Sequence, residues 1–128
     1  MKGYVGNIEQ ATLENTNFRK VLYTAKNSQL VVMSIPPGGE IGLETHHLDQ
    51  FLRLEQGRAK AILDGVEHDI QDAWAVVVPA GTAHNFINTG DVDLRLYSVY
   101  SPPEHKDGIV VAKKEDAVEE HFDGKTTE

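Results

Sequence analysis

Residues 38–57 read GGEIGLETHHLDQFLRLEQG, and the reading of this stretch decides the fold. Glu44, His46, His47, Asp49 and Gln50 crowd its middle. Pro36-Pro37-Gly38-Gly39 turns the chain before it, and the run Phe51 to Leu54 follows it. With 42–46 extended, Glu44 and His46 lie two apart and share a face. Gln50 lies past the short break Leu48-Asp49 and opens the next strand. A second segment, VVVPAGTAHNF over residues 76–86, supplies one more donor, His84. Two imidazoles, a carboxylate and an amide oxygen brought to one point make a mixed nitrogen/oxygen site. Such a site suits Mn, Fe, Ni, Co or Zn better than Ca or Mg.

Outward from this centre the chain reads as short strands with turns at regular intervals. Residues 18–24, 29–35, 58–63, 66–70, 73–78, 83–88 and 93–100 are strand-like. Asp64-Gly65 is the strongest two-residue hairpin signal. Residues 1–17 are polar and end in the loop signal Glu14-Asn15-Thr16-Asn17. Helical periodicity enters only after Pro103, where KKEDAVEEHF over residues 113–122 predicts a short helix stopped by Gly124. The expected fold is all-β, an antiparallel sandwich or barrel with a short C-terminal helix. We expect one structural domain: an N-terminal arm and strand over 1–27, a barrel over 28–103, and a C-terminal extension over 104–128.

Composition narrows the function classes. The chain has 128 residues and is 40% hydrophobic, with no apolar run near membrane-span length. Its start, MKGYVGNIEQ, has no apolar signal region, so a cytoplasmic protein is expected. The absence of cysteine removes disulfides and thiolate metal sites. Net charge is −8, from 12 basic and 20 acidic residues, so neither nucleic acid nor an anionic membrane surface is an expected partner. A homodimer is expected, because a small sandwich exposes sheet edges that the strand 18–24 could pair across a two-fold axis.

Two spacings resemble the motifs of the cupin superfamily. The first motif, G-x5-H-x-H-x3/4-E-x6-G, falls on Gly38, Glu44, His46, Gln50 and Gly57. The second, G-x5-P-x-G-x2-H-x3-N, falls on Ala73, Pro79, Gly81, His84 and Asn88. Glu44 stands where the family has its first histidine, Gln50 where it has glutamate, and Ala73 where it has glycine. The resemblance implies a jelly roll and a divalent metal held by Glu44, His46, Gln50 and His84. The carboxylate has moved between ligand positions, so the site keeps one negative ligand and would be near +1 with its ion. Gln50 binds through a neutral amide oxygen, or donates from its amide to a bound molecule. The alternative is a cupin whose pocket residues only hydrogen-bond one another. His47 points to the rim unless a bulge exchanges it with His46. His68 is expected to face outward. His105 and His121 lie outside the motifs, with His105 a candidate cap for the pocket mouth.

Longer runs, among them Ile41-Gly42-Leu43-Glu44-Thr45-His46 and Ser101-Pro102-Pro103-Glu104-His105, are similar to single-domain cupins grouped with cupin-type mannose-6-phosphate isomerase. That similarity implies a metal-dependent enzyme on a sugar or sugar phosphate, by aldose–ketose isomerisation. Its base candidates are Glu40, His47, Tyr97 and Tyr100, and its candidate phosphate cations are Arg53, Arg58, Lys60 and Arg95. Two other functions stay open: an Fe- or Ni-dependent dioxygenase, and a small-molecule- or metal-binding cupin without turnover.

Overall fold

A computed structural model describes residues 2–118 and 120–128. A short helix α1 (Ile8–Glu14) precedes strands β1 (Arg19–Thr24), β2 (Gln29–Ile35), β3 (Asp49–Gln56), β4 (Arg58–Leu63) and β5 (Val66–Gln71). Then come β6 (Ala75–Val78), β7 (His84–Asn88), β8 (Leu94–Ser101) and β9 (Val110–Val111). Two antiparallel sheets result, in the orders β6-β3-β8-β2-β1-β9 and β5-β4-β7. This is the expected jelly roll, but as two sheets and not as a closed barrel.

Alternation along the strands sets the layers. On β3, Gln50, Leu52 and Leu54 are buried, and on β8, Leu94, Leu96, Ser98 and Tyr100. Register places Gln50 opposite Tyr100, Leu52 opposite Ser98 and Leu54 opposite Leu96. The interior is therefore apolar at the leucine end and polar at the Gln50 end. On the smaller sheet His84, Phe86 and Asn88 face inward, beside the small residues Ala59 and Ala61. Each fully buried leucine contributes about 1.5–3 kcal/mol. Phe51 and Arg53 face out, as parity requires: Phe51 meets Tyr97, and Arg53 pairs with Glu55. His68 is exposed on β5, and Trp74 is half exposed.

Turn chemistry agrees with sequence at the β4–β5 hairpin, where Asp64 and Gly65 have φ of 49° and 80°. Among the described residues Ala73 is the other non-glycine residue with positive φ, at 72°, in the turn between β5 and β6. This is the position where the motif expects glycine. An L side chain there costs about 1–2 kcal/mol, against about 0.5–1 kcal/mol for glycine's extra chain entropy. Ala73→Gly is therefore expected to stabilise the fold by about 0.5–1 kcal/mol, read as a rise in the urea midpoint; a lowered midpoint would refute the strain.

Two expectations fail at the chain ends. The polar N-terminal arm contains helix α1, whose N-cap Asn7 accepts a 3.0 Å hydrogen bond from the Gln10 amide. The helix predicted over 113–122 does not form among the described residues: only Lys114–Asp116 make a 3-10 turn, and Ala117 is already extended. Glu119, part of that predicted helix, lies outside the described residues. A His105–His121 bridge and a Phe122-to-Glu104 backbone bond hold the far end of the segment extended. Local helix propensity loses to these tertiary ties.

The strand expected to offer a dimer edge is also covered. β1 lies between β2 and β9, and Thr127 exchanges hydrogen bonds with Thr24. Pairing of two copies through β1 is thus blocked by the chain's own C-terminal segment. No helix among the described residues is long and apolar enough to cross a membrane.

Candidate metal and ligand site

The two motif halves meet through the backbone. Glu44 and His84 exchange both N–H···O bonds, each 2.9 Å, as an antiparallel pair. Residues directly opposite in such a pair project from the same face. Gly38, Ile41 and Asn88 extend the ladder, and the Asn85 side chain accepts from the Gly42 amide at 2.8 Å. The Pro79-Ala80-Gly81 turn is clipped to the same loop. The Ala80 amide donates to Asp49 Oδ1 at 2.9 Å and the Gly81 amide to the His46 carbonyl at 2.8 Å. Gly81 has φ of 85°, so glycine is the residue suited to this turn.

The side chains converge accordingly. His46 Nε2 lies 3.3 Å from Glu44 Oε2, and the His46 and His84 ring centroids are 5.1 Å apart. Gln50 reaches in from the larger sheet, its Nε2 donating to Ser98 Oγ at 3.2 Å and Tyr100 Oη at 3.3 Å. Its Oε1 is buried and has no partner. His84 Nδ1 sits 2.9 Å from the Thr82 carbonyl, which can only accept. Nδ1 therefore carries the proton, and the Nε2 lone pair is left available. His46 Nδ1 lies 3.6 Å from Glu104, whose carboxylate also contacts His121. A carboxylate behind a histidine is the usual support for a metal-binding imidazole.

Electrostatics follow from these contacts. Burial works to raise the Glu44 pKa, but the His46 hydrogen bond and the charges of His46 and Arg19 outweigh it and hold the carboxyl below its ordinary value. The same bond to Glu44 raises His46 against burial, with help from Glu104. Burial pushes the Tyr100 phenol well up, and it drives His105 down to about 3. Tyr100 is thus a donor and His105 a neutral ring, which packs edge-on against Tyr100 at 5.1 Å.

Among the described residues no three His, Asp or Glu side chains stand in ready coordinating geometry. Glu44 and His46 spend their facing atoms on each other, so an ion must part that pair and displace a proton. The orphaned Gln50 oxygen, the free His84 Nε2 and the adjacent carboxylate nevertheless make a donor set that fits a transition metal.

Other candidate residues scatter. His47 is exposed at the rim, as expected. His105 is buried and lines a cavity of about 380 Å³ with Glu44 and Arg19. Glu40 opens instead onto a separate recess of about 560 Å³ beside Phe18 and Ile35. Tyr97 faces outward against Phe51. The four expected cations are not in the site: Arg53, Lys60 and Arg95 pair with Glu55, Glu67 and Asp93, and Arg58 is exposed on β4. Sequence reasoning missed Ser98 as a partner of Gln50, Glu104 behind His46, and Arg19. Ser98 shares the inward parity of Leu94 and Leu96, a signal that was present; Arg19 and Glu104 left none.

Fold and side chains together define a small two-sheet jelly roll with a cluster of polar side chains in its interior. The cupin-domain family model matches residues 31–100, and the chain belongs to the cupin family. It is 47% identical over 124 residues to the uncharacterized protein YrkC of Bacillus subtilis (strain 168), covering 91% of this chain and 67% of that one. It is 37% identical over 116 residues to the uncharacterized protein L612 of Acanthamoeba polyphaga mimivirus, covering 87% of this chain and 72% of the relative. Among solved structures, BH2720 from Bacillus halodurans is 43% identical and superimposes with a TM-score of 0.87, over 89% of this chain and 92% of that one.

Proposed function

We propose that this cupin binds a divalent transition metal through Glu44, His46 and His84, with Gln50 Oε1 as the weaker fourth donor, and acts on a small polar molecule. The unpartnered Gln50 oxygen carries this reading. Leaving a buried acceptor unmade costs about 1–3 kcal/mol, which a cation facing it would recover. Ser98 and Tyr100 orient the amide by taking its donor side, which leaves the oxygen as the atom open to a further partner.

The ion, when bound, would supply a Lewis acid that polarises an oxygen of the substrate. Tyr100, kept protonated by burial, can donate a hydrogen bond to that molecule but cannot serve as its base. The isomerase version has little support from the expected bases, since Glu40 and Tyr97 lie away from the site. Binding without turnover is the second reading, and the same observation favours it. A dioxygenase remains compatible with the donor set but is not selected by it.

Protein purified without added metal should carry Mn, Fe, Ni, Co or Zn. After chelation, calorimetric titration with manganese or zinc chloride should reveal one saturable site, weakened roughly 10-fold in Gln50→Leu. Failure to take up any of these ions would end the proposal.

A further inference from the structure

Arg19 opens β1 and is paired in register with Val111 of β9. Its side chain lines the cavity of about 380 Å³ that also meets Glu44, His105, Lys114 and Glu120. Arg53 and Arg95 pair with carboxylates, Glu55 and Asp93. No carboxylate of a described residue pairs with Arg19, and its Nε is buried without a partner. This holds in a chain with 20 acidic residues and 12 basic ones. Arg19 is half-buried, with its guanidinium carbon 5.2 Å from the centre of the Phe18 ring, and an anion in the cavity would give the buried Nε the acceptor it lacks. Arg19 shares this cavity with Glu44, a ligand in the metal-site reading, and with the buried His105.

We infer that Arg19 is the specificity-determining residue of this pocket, gripping a carboxylate or phosphate oxyanion on a small substrate, with Lys114 as a second cation at the mouth. The inference deepens the metal-site reading and rests on it in one respect. With the charge of Glu44 committed to the ion, Arg19 and Lys114 outweigh Glu120, and the rest of the cavity favours negative charge. The planar guanidinium fork suits a two-oxygen contact with either group. A volume of about 380 Å³ admits a small molecule but not a long chain.

The test is calorimetric titration of Mn-loaded and chelator-treated protein with sodium pyruvate and, separately, inorganic phosphate. Arg19→Gln should bind the preferred anion roughly 10- to 100-fold more weakly than wild type, the range lost with a charge-assisted hydrogen bond. Arg19→Lys, which keeps the charge and loses the fork, should recover only part of this. Metal content per chain should match wild type in both variants. A pyruvate-selective response assigns a carboxylate substrate, and a phosphate-selective one a phosphate. Lys114→Gln, on an exposed residue, should weaken the same anion about 2- to 5-fold and gives an independent readout if Arg19→Gln melts early. Equal binding by wild type and Arg19→Gln, or no binding of either anion by metal-loaded wild type, overturns the inference. Arg19-dependent binding in a protein that takes up no metal would sink the metal site and leave the anion site standing.

Discussion

Glu44→Ala should lower metal affinity by at least about 100-fold, since even partners behind a metal ligand are worth about 10- to 100-fold. The fold should survive. The Glu44 side chain is 31% exposed, and its structural tie to His84 runs through the backbone, which alanine keeps. Loss of the carboxylate removes the one negative ligand of the proposed site and frees His46 from its 3.3 Å contact. His84 needs a gentler probe: it is only 2% exposed, so His84→Ala would open a cavity and confuse ligation with packing. His84→Gln keeps most of the volume while replacing the Nε2 lone pair. Both variants should melt within a few degrees of wild type while carrying little metal by mass spectrometry of digested protein. Metal content equal to wild type in Glu44→Ala would show that the ion, if any, sits elsewhere.

What could be read from residues alone was what depends on near neighbours. Strands 29–35 and 58–63 appear with the expected bounds because β-rich runs there end at Pro36 and at Asp64-Gly65. The pairing of Glu44 with His84 was legible as two spacings, because each motif is a local turn-and-strand pattern. Arg19 and Glu104 were not legible. Each reaches the site from a chain end folded across the sandwich, and an arginine following Phe18 in an amphipathic strand reads as an outward residue. Helix α1 escaped because its length, Ile8–Glu14, is too short for a 3.6-residue period to show. Its one signal was Asn7 with Gln10 three residues on, a capping pattern. The edge named for pairing two copies is covered for the converse reason: nothing local indicates that residues 110–111 and Thr127 return to cover β1.

Gln29 carries the second large effect. It reads in sequence as the polar first residue of a strand, yet it is 1% exposed. Its Nε2 donates to Thr24 Oγ1 at 2.9 Å and to the His105 carbonyl at 2.7 Å. Its Oε1 accepts from the amides of Glu104 at 3.3 Å and His105 at 3.0 Å. A primary amide has two donor hydrogens and two lone pairs, so this side chain is fully used. Gln29→Ala strands the amide and carbonyl of His105 in a buried place, at about 1–3 kcal/mol for each group, and adds a small cavity. The loss should be on the order of 4 kcal/mol, a large part of the about 5–15 kcal/mol that holds an ordinary domain together. Gln29→Leu fills the cavity but should recover little, because the same backbone groups stay unpaired. The consequence reaches the site, since the tethered segment presents Glu104 to His46 and His105 to Tyr100. Urea unfolding gives the stability loss, and hydrogen exchange should show the His105 amide among the first to lose protection. A loss under about 1 kcal/mol would mean that the segment at 104–105 is held by packing, and that Glu104 is not fixed behind His46 by this amide.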